Sequence, residues 1–327
     1  MSEPAEIVTA RIALVLGLTG GIGGATAQAL AADGWQIRAL ARDVEAARAR
    51  TSLSYSVQWV RGDAMNSGNV SRAAEGVALI VHAVNPPQYK NWRGLALPMM
   101  ANTIAAASQS GARIILPGNV YVFGPDAWPM ADENSPRHPS TRKGAVRVEM
   151  ERMLREAAPE VRSLVVRAGD FFGPGRGASS AFALIVAKGG LNLKRVVDPS
   201  RTGAGHGWAY LPDLAEAIAK LVAIEDRLAD ADVVHFGGHW IEPGRDIAEA
   251  IRRVLHRPRL PLRKFPWFLV YLAAPFMEFM RELIEMRYLW DVPLRLDNKK
   301  LVGLIGAEPH TPLDAAIAAA LDAATAR

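Results

Sequence analysis

This sequence predicts an α/β protein built on a doubly wound parallel sheet, and three observations predict it. Short apolar runs recur at 12–16, 37–40, 57–60, 79–84, 113–116 and 163–167. Helix-type stretches, among them 25–32, 95–110 and 146–156, lie between them. A glycine cluster, Gly17-Leu18-Thr19-Gly20-Gly21-Ile22-Gly23, joins the first run to the first helical stretch. Alternating strands and helices argue for a parallel sheet covered on both faces. Right-handed crossovers then give the doubly wound order, with a ligand at the carboxyl ends of the strands.

The first unit reads strand, glycine turn, helix to Asp33, stop at Gly34, second strand and Arg42. Glycine admits positive φ and lets the backbone approach a pyrophosphate closely. The helix that starts there offers free N–H groups and a positive dipole end to phosphates. This is the opening βαβ unit of a dinucleotide-binding (Rossmann) fold, with Gly17, Thr19, Gly20, Gly21, Ile22 and Gly23 around the phosphates. Which dinucleotide it binds depends on the end of the second strand, Ile37-Arg38-Ala39-Leu40-Ala41-Arg42. An NAD site places a carboxylate there for the ribose hydroxyls, whereas an NADP site needs cations for the 2′-phosphate. Ala41 takes the acidic position and Arg42 follows, which favours NADP and leaves NAD as the alternative. Against this, Arg42 would be an ordinary surface residue if it paired with Asp43. Asp63, with Ala64 beside it, is placed to meet the adenine amino group.

Beyond Arg167 the pattern loosens. Gly169, Gly173, Pro174, Gly175 and Gly177 mark one irregular segment and residues 198–207 another, before a helix opens at Tyr210-Leu211-Pro212-Asp213. Residues from 258 open an aromatic-rich region with little strand signal, and an Ala-rich helix covers 313–326. Residues 1–170 therefore read as the dinucleotide-binding domain, with returns to it around 204–238, and 171–327 mainly as a smaller substrate-binding domain. A chain of 327 residues has room for both.

Composition removes several classes. With no cysteine there are no disulfides, thiolate metal sites or cysteine nucleophiles, which fits a cytoplasmic setting. The acidic, polar start Met1-Ser2-Glu3-Pro4-Ala5-Glu6 is not a signal peptide. Net charge is +5, but no long Lys/Arg run occurs, so a mildly basic surface is read rather than a nucleic-acid binder. The longest apolar stretch, 265–277, is broken by Pro266 and Pro275 and is too short to span a bilayer, so no stable membrane insertion is expected.

Four segments together resemble the extended short-chain dehydrogenase/reductase superfamily, in its epimerase/dehydratase branch, over nearly the whole chain. Gly17-x-x-Gly20-x-x-Gly23 is similar to its nucleotide loop, and Val122-Phe123-Gly124-Pro125 to the V-Y-G after its catalytic serine. Arg167-Ala168-Gly169-Asp170-Phe171-Phe172-Gly173-Pro174 resembles its R-P-G-x-x-Y-G-P segment, and Tyr210-Leu211-Pro212-Asp213-Leu214-Ala215 its h-V-x-D-x-A element. The resemblance implies a cofactor contact where the fourth strand ends, at Ala83, Val84 and Asn85. It also implies catalysis by a serine or threonine with a Y-x-x-x-K pair, whose tyrosine exchanges a proton with the substrate oxygen while hydride moves to or from nicotinamide.

That motif is replaced here. The six tyrosines are Tyr55, Tyr89, Tyr121, Tyr210, Tyr271 and Tyr288, and none has Lys four residues later. Counting back from Val122-Phe123-Gly124, Asn119 takes the serine position. The register that keeps the family's following glutamate at Glu151 puts Arg147 at the lysine and Lys143 at the tyrosine. The other frame, with Lys143 as the lysine, puts Pro139 at the tyrosine and fits less well. Lys143 and Arg147 lie four apart on one helix face. Beside an arginine and a cationic nicotinamide a lysine releases its proton more readily, which suits acid/base work near neutral pH. Tyr121 is the other donor, because the branch's dehydratases draw an acid–base pair from the two residues after the serine position. Alternatively, Lys143 and Arg147 only grip ribose and phosphate, or form a solvated basic face.

Among other constellations, His235 and His239 are separated by Gly237-Gly238, so no shared metal face is expected, and His82 reads as a near-core histidine. His206 and Trp208 face either the pocket or solvent. The aromatic-rich stretch 265–290 reads as core, dimer contact or an apolar lid over a lipophilic substrate; Glu278, Arg281, Glu282 and Glu285 give its later part a polar face, against peripheral membrane contact. The expected function is an NADP(H)-dependent oxidoreductase acting on a small apolar carbonyl or alcohol, with a non-standard proton donor. The alternatives are a non-catalytic NADP(H)-binding redox-sensing or scaffold protein and, less favoured, a nucleotide-sugar epimerase or dehydratase. The partner is a small molecule; helices 95–110 and 146–156 are where the family often forms homodimers.

Overall fold

The computed structural model describes residues 11–325 except 52, 87–90, 175–180 and 242–244. The N-terminal stretch, Pro87, Tyr89, Gly175 and Gly177 therefore lie outside the described residues. From the amino end the elements are β1 (Ile12–Leu16), α1 (Gly21–Ala32), β2 (Gln36–Ala41), α2 (Val44–Ala49), β3 (Val57–Arg61), α3 (Ser67–Ala73), β4 (Leu79–His82), α4 (Trp92–Ser110) and β5 (Arg113–Asn119). Then come β6 (Met130–Ala131), α5 (Arg142–Glu156), β7 (Ser163–Ala168), β8 (Asp170–Phe172), β9 (Val196–Asp198), β10 (His206–Tyr210), α6 (Leu211–Ala223) and β11 (Ala231–His235). The chain closes with β12 (His239–Ile241), α7 (Arg245–Val254), β13 (Leu262–Lys264), α8 (Trp267–Ala273), α9 (Glu278–Met286), α10 (Tyr288–Asp291), β14 (Arg295–Leu296), α11 (Lys299–Ile305) and α12 (Leu313–Thr325).

Seven strands form one parallel sheet in the order β3-β2-β1-β4-β5-β7-β11. This is the doubly wound Rossmann arrangement, and its order reverses between β1 and β4, where such sheets open a ligand crevice. Side chains alternate across β1: Ala13 and Val15 join the core under α1 and α6, while Leu14 and Leu16 join the core under α3, α4 and α5. Both sets are buried, which is why the run is apolar at every position rather than at every second one.

Boundaries move for local reasons. β4 ends at His82, two residues before the apolar run does, because Ala83 turns over Gly17; its N–H still reaches the Leu16 carbonyl at 2.9 Å. β5 continues through Pro117-Gly118 to Asn119. Past Ile115 it has lost β4 and pairs only with β7, so a proline without an N–H costs no ladder bond. Helices α2 and α3 are too short to show a period, yet each has a side-chain cap: Asp43 accepts from the Ala46 N–H and Asn66 from the Asn69 N–H, both at 3.0 Å. Of the 204–238 segment, β11 returns to the main sheet beside β7, whereas β10 joins β8 and β12 in a separate three-stranded sheet.

The remaining chain forms a second layer over the carboxyl ends of β5 and β7. Its core gathers Phe172, Phe182, Trp208, Ile251, Trp290 and Ile317. Two short parallel pairs frame it. β13 lies on β9, and β14 lies on β6. Residues 265–294, carrying α8, α9 and α10, hang between these two anchors as a strap.

Candidate active site

The glycine turn is fixed by close backbone approaches. Gly17 has φ +94°, and a Cβ there would sit 2.6 Å from the Ala83 carbonyl oxygen, where the ends of β1 and β4 touch. A Cβ on Gly23 would sit 2.3 Å from the Gly17 carbonyl oxygen. Gly20 donates to that same oxygen at 2.9 Å, and as N-cap it brings no side chain to the first N–H groups of α1. Thr19 and Gly20 are exposed there, Gly21 is partly so, and Ile22 is buried beneath. The backbone thus leaves uncapped donors facing the β1/β4 crevice, the fit that a pyrophosphate needs.

At the end of β2, Arg42 is exposed and has no ion pair or hydrogen bond among the described residues. Asp43 is not its partner, because that carboxylate caps α2. Arg61 stands opposite Ala41 in the β2/β3 register. Arg38, by contrast, is spent on Gln58 and on the carbonyls of Ala73 and Glu75. Asp63 is half-buried, with its carboxylate accepting from the Met65 N–H at 3.0 Å; the buried Ala64 holds Asn102 through its carbonyl at 2.9 Å.

The second cluster forms where β4, β5 and α5 converge. Thr141 caps α5 by accepting from the Gly144 N–H at 3.0 Å. Lys143, Arg147 and Glu151 then fall on one face at 2%, 6% and 4% exposure, so the face points into the protein. Pro139 precedes the helix. Glu151 takes Arg167 in a two-point ion pair, Nε to Oε1 at 3.0 Å and Nη2 to Oε2 at 2.6 Å. That clamp onto β7 sets the roll of α5 and so the aim of the two cations above it. Arg147 donates from Nη2 to Asn85 Oδ1 at 2.8 Å and lies over the Trp92 ring at 5.0 Å. Asn119 Oδ1 accepts from the Tyr121 N–H at 3.1 Å, which leaves its amide nitrogen to donate. A Cβ on Gly144 would lie 2.3 Å from the Tyr121 carbonyl oxygen, so α5 packs directly on the 119–122 turn. Asn85, past the end of β4, is thereby joined to Arg147, and the turn carrying Asn119 and Tyr121 to the first turn of α5 that carries Lys143.

Sequence reading missed what covers this cluster. The Lys143 ammonium donates to the Glu282 carboxylate and, at 3.3 Å, to Glu285 Oε2, while Glu285 Oε1 accepts from the Lys143 backbone N–H at 3.0 Å. Glu282 and Glu285, expected on a polar outer face, are turned inward, with side chains 14% and 13% exposed. Burial works to raise the Glu285 carboxyl, but the Lys143 N–H and ammonium outweigh it and hold it below the usual carboxylate range. Tyr288 lies just beyond, stacked on Trp128, its phenol pushed up by burial and by the Asp170 and Glu285 carboxylates. His206 faces the interior. Its Nε2 lies 3.0 Å from Asp170 Oδ2, its Nδ1 3.0 Å from the Leu289 carbonyl, and its ring is stacked on Trp290. Both nitrogens of the ring thus face acceptors. Narrow clefts open on either side of it, one against Val120 and Leu294, the other against Asp198 and Trp208. The α9 spacing that carries these glutamates is the same for a surface pair, so no local signal marks them.

His82 is a core residue, 2% exposed with Nδ1 at 2.8 Å from Thr103 Oγ1. His235 and His239 do not converge: one faces Arg167, the other His310. Among the described residues no group of three or more His, Asp or Glu side chains could hold a metal ion, and no helix is long and apolar enough to cross a membrane.

A family model described as NAD dependent epimerase/dehydratase family matches residues 13–236. No curated protein matches the chain. Solved structures similar to it include a putative epimerase from Burkholderia cenocepacia J2315, at 17% identity, 98% of this chain, 99% of that chain and TM-score 0.76. The enzyme WbmH of Bordetella bronchiseptica, in complex with NAD+, is 17% identical over 96% of this chain and 97% of its own, with TM-score 0.73. DesIV of Streptomyces venezuelae, a dTDP-glucose 4,6-dehydratase with NAD and TYD bound, is 17% identical over 95% and 96%, with TM-score 0.74. At such identities the likeness bears on the fold alone.

Proposed function

This chain belongs to the NAD dependent epimerase/dehydratase family, and from that premise we propose that it is an NADP(H)-dependent oxidoreductase of the extended short-chain type with Lys143 as its proton donor and acceptor. The observation that carries the reading is the buried α5 face on which Lys143, Arg147 and Glu151 stand four residues apart, beside Asn85 and Tyr121. The register with Pro139 at the tyrosine position would put that position outside the helix. Bound nicotinamide supplies or accepts the hydride. Asn119 holds the substrate oxygen through its amide, and Lys143 gives that oxygen a proton or takes it. Arg147, braced by Asn85, grips ribose hydroxyls where the family has lysine. The strap closes over the cluster and excludes water, with Glu282 and Glu285 holding the ammonium until substrate displaces them. Residues up to about 170, with β11, serve the cofactor, and the later chain shapes the substrate space. The walls that Trp128, Tyr288 and Trp290 supply suit an apolar carbonyl or alcohol.

The preference for NADP rests on Arg42, exposed and without an ion pair among the described residues, with no carboxylate at Ala41 and with Arg61 alongside. NAD, which solved relatives hold, is the alternative. A charge-assisted contact to the 2′-phosphate contributes about 1.5–3 kcal/mol. Arg42→Ala should therefore weaken NADPH binding about ten- to hundredfold by fluorescence titration and leave NADH nearly unchanged. Equal losses for both cofactors would remove the phosphate role.

One observation favours a second reading: the paired carboxylates on Lys143 could mark a protein that binds NADP(H) without turnover. Single-turnover mixing of pre-bound NADPH with aldehydes, ketones, enones and a nucleotide sugar separates them. Loss of the reduced-nicotinamide absorbance with an apolar member is the expected result. Tight NADPH binding with no oxidation by any member selects the second reading, and oxidation by the nucleotide sugar alone moves the substrate class.

A further inference from the structure

Helix α8 is turned inside out for a protein in water. Trp267 is buried, its indole donating to the Pro199 carbonyl at 2.7 Å, which pins the helix to the end of β9. The opposite side and the turn into α9 are open: Phe268 is 69% exposed, Leu272 71% and Phe276 87%, with Leu269, Met277 and Phe279 around them. Single exposed apolar residues are ordinary, but a contiguous set this large marks an interaction surface. The acidic residues that would make this region polar do not all face outward, because Glu282 and Glu285 are committed to Lys143.

Beside the apolar set lies an acid-free zone. Residues 181–197 hold three Lys or Arg and no Asp or Glu; residues 250–277 hold six and none. The β9/β13 pairing and the bond from Arg257 Nη1 to the Leu193 carbonyl at 2.6 Å bring the two stretches side by side. Arg252, Arg253 and Lys264 are ion-paired to Glu249, Asp314 and Asp198. Lys188, Lys194, Arg195, Arg257, Arg259 and Arg263 are exposed and have no ion pair among the described residues.

We propose that this face docks the protein peripherally on an anionic lipid bilayer, with the α8 apolar side chains entering the interface and the cations of the β9/β13 flank meeting the headgroups. Apolar side chains beside unpaired cations are the two signals that hold a protein on, rather than through, a membrane. A second copy is the weaker occupant: a two-fold contact would bring the cationic flanks of both protomers close, while the carboxylates beside them, Glu249, Asp314 and Asp198, are already ion-paired. The proposal stands on surface residues alone and does not depend on the assigned chemistry.

Flotation of the full chain with phosphatidylglycerol/phosphatidylcholine vesicles tests it, with phosphatidylcholine vesicles as the comparison. Binding to the anionic vesicles that weakens with salt is expected. Each cation removed should weaken partition about fivefold, so Arg259→Ala with Arg263→Ala should weaken it about 25-fold. Phe268→Ser with Phe276→Ser should weaken it about tenfold or more. Melting temperatures should hold, since all four residues are exposed, and NADPH binding should be unchanged. Failure of the wild type to float with anionic vesicles at low salt, or variants that float as well as it does, would overturn the proposal. So would sedimentation showing a dimer that Phe268→Ser with Phe276→Ser dissociates while vesicle binding is absent, which would assign the face to a second copy.

Discussion

Lys143→Arg should lower the single-turnover rate of NADPH oxidation about 10²- to 10⁴-fold, the usual contribution of a positioned acid/base group. Guanidinium keeps the charge that Glu282 and Glu285 face, so the helix packing is retained, but it does not give up a proton in a protein. Lys143→Met removes the proton and the charge together, leaving two largely buried carboxylates with only the exposed Arg142 as their cation, and should also lower the melting temperature. The pair of variants thus separates chemistry from packing. NADPH affinity should stay within about tenfold in Lys143→Arg, since the phosphate turn and Arg42 are untouched. If both Lys143 variants turned over at the wild-type rate while Tyr121→Phe did not, the proton would belong to Tyr121, whose segment packs against the first turn of α5.

Acidification from pH 7 to pH 5 should destabilise the fold by roughly 6 kcal/mol, about 2 kcal/mol for each of three buried histidines. Burial lowers His82 to about 3, with Arg147 adding repulsion. Burial and the Arg167 charge lower His235 to about 3, and burial with His310 lowers His239 to about 4. Unfolded, each would titrate near 6.5. Below that pH the unfolded chain binds protons that the folded one refuses, so the stability contributed by the three neutral rings is complete above about 6.5 and is lost as pH falls toward 3–4. The loss rivals the whole stability of an ordinary domain, about 5–15 kcal/mol. Urea titrations at the two pH values should show it, with uptake of nearly three protons on unfolding at pH 5. A flat profile between pH 7 and 5 would mean that the rings are reached by solvent.

The fold was legible because its signals are local. Strands buried on both faces are written as unbroken apolar runs, and the close approach of Gly17 to Ala83 leaves a glycine in the sequence. Helix α5 was legible in register because Lys143, Arg147 and Glu151 recur at one period. What escaped comes from packing between distant segments. Glu282 and Glu285 reach Lys143 across 139 and 142 residues, and nothing in their spacing tells an inward face from an outward one. Tyr288 and the Asp170–His206 pair escaped likewise, since their meeting depends on where the strap is laid down. The short helices α2 and α3 carry caps but too few turns to show a period.

The attachment of the strap has a consequence for descent. The chain enters it from β13, three residues long, and leaves it into β14, two residues long, without touching the register of the seven-stranded sheet. Mutations within 265–294 therefore act on the space beneath the strap and on its outer apolar face, whereas a shift in any strand of the main sheet turns its side chains to the wrong core. On the proposed assignment, cofactor use and ligand selectivity would be inherited as two separable characters, one tied to a lattice of backbone bonds and the other to the strap.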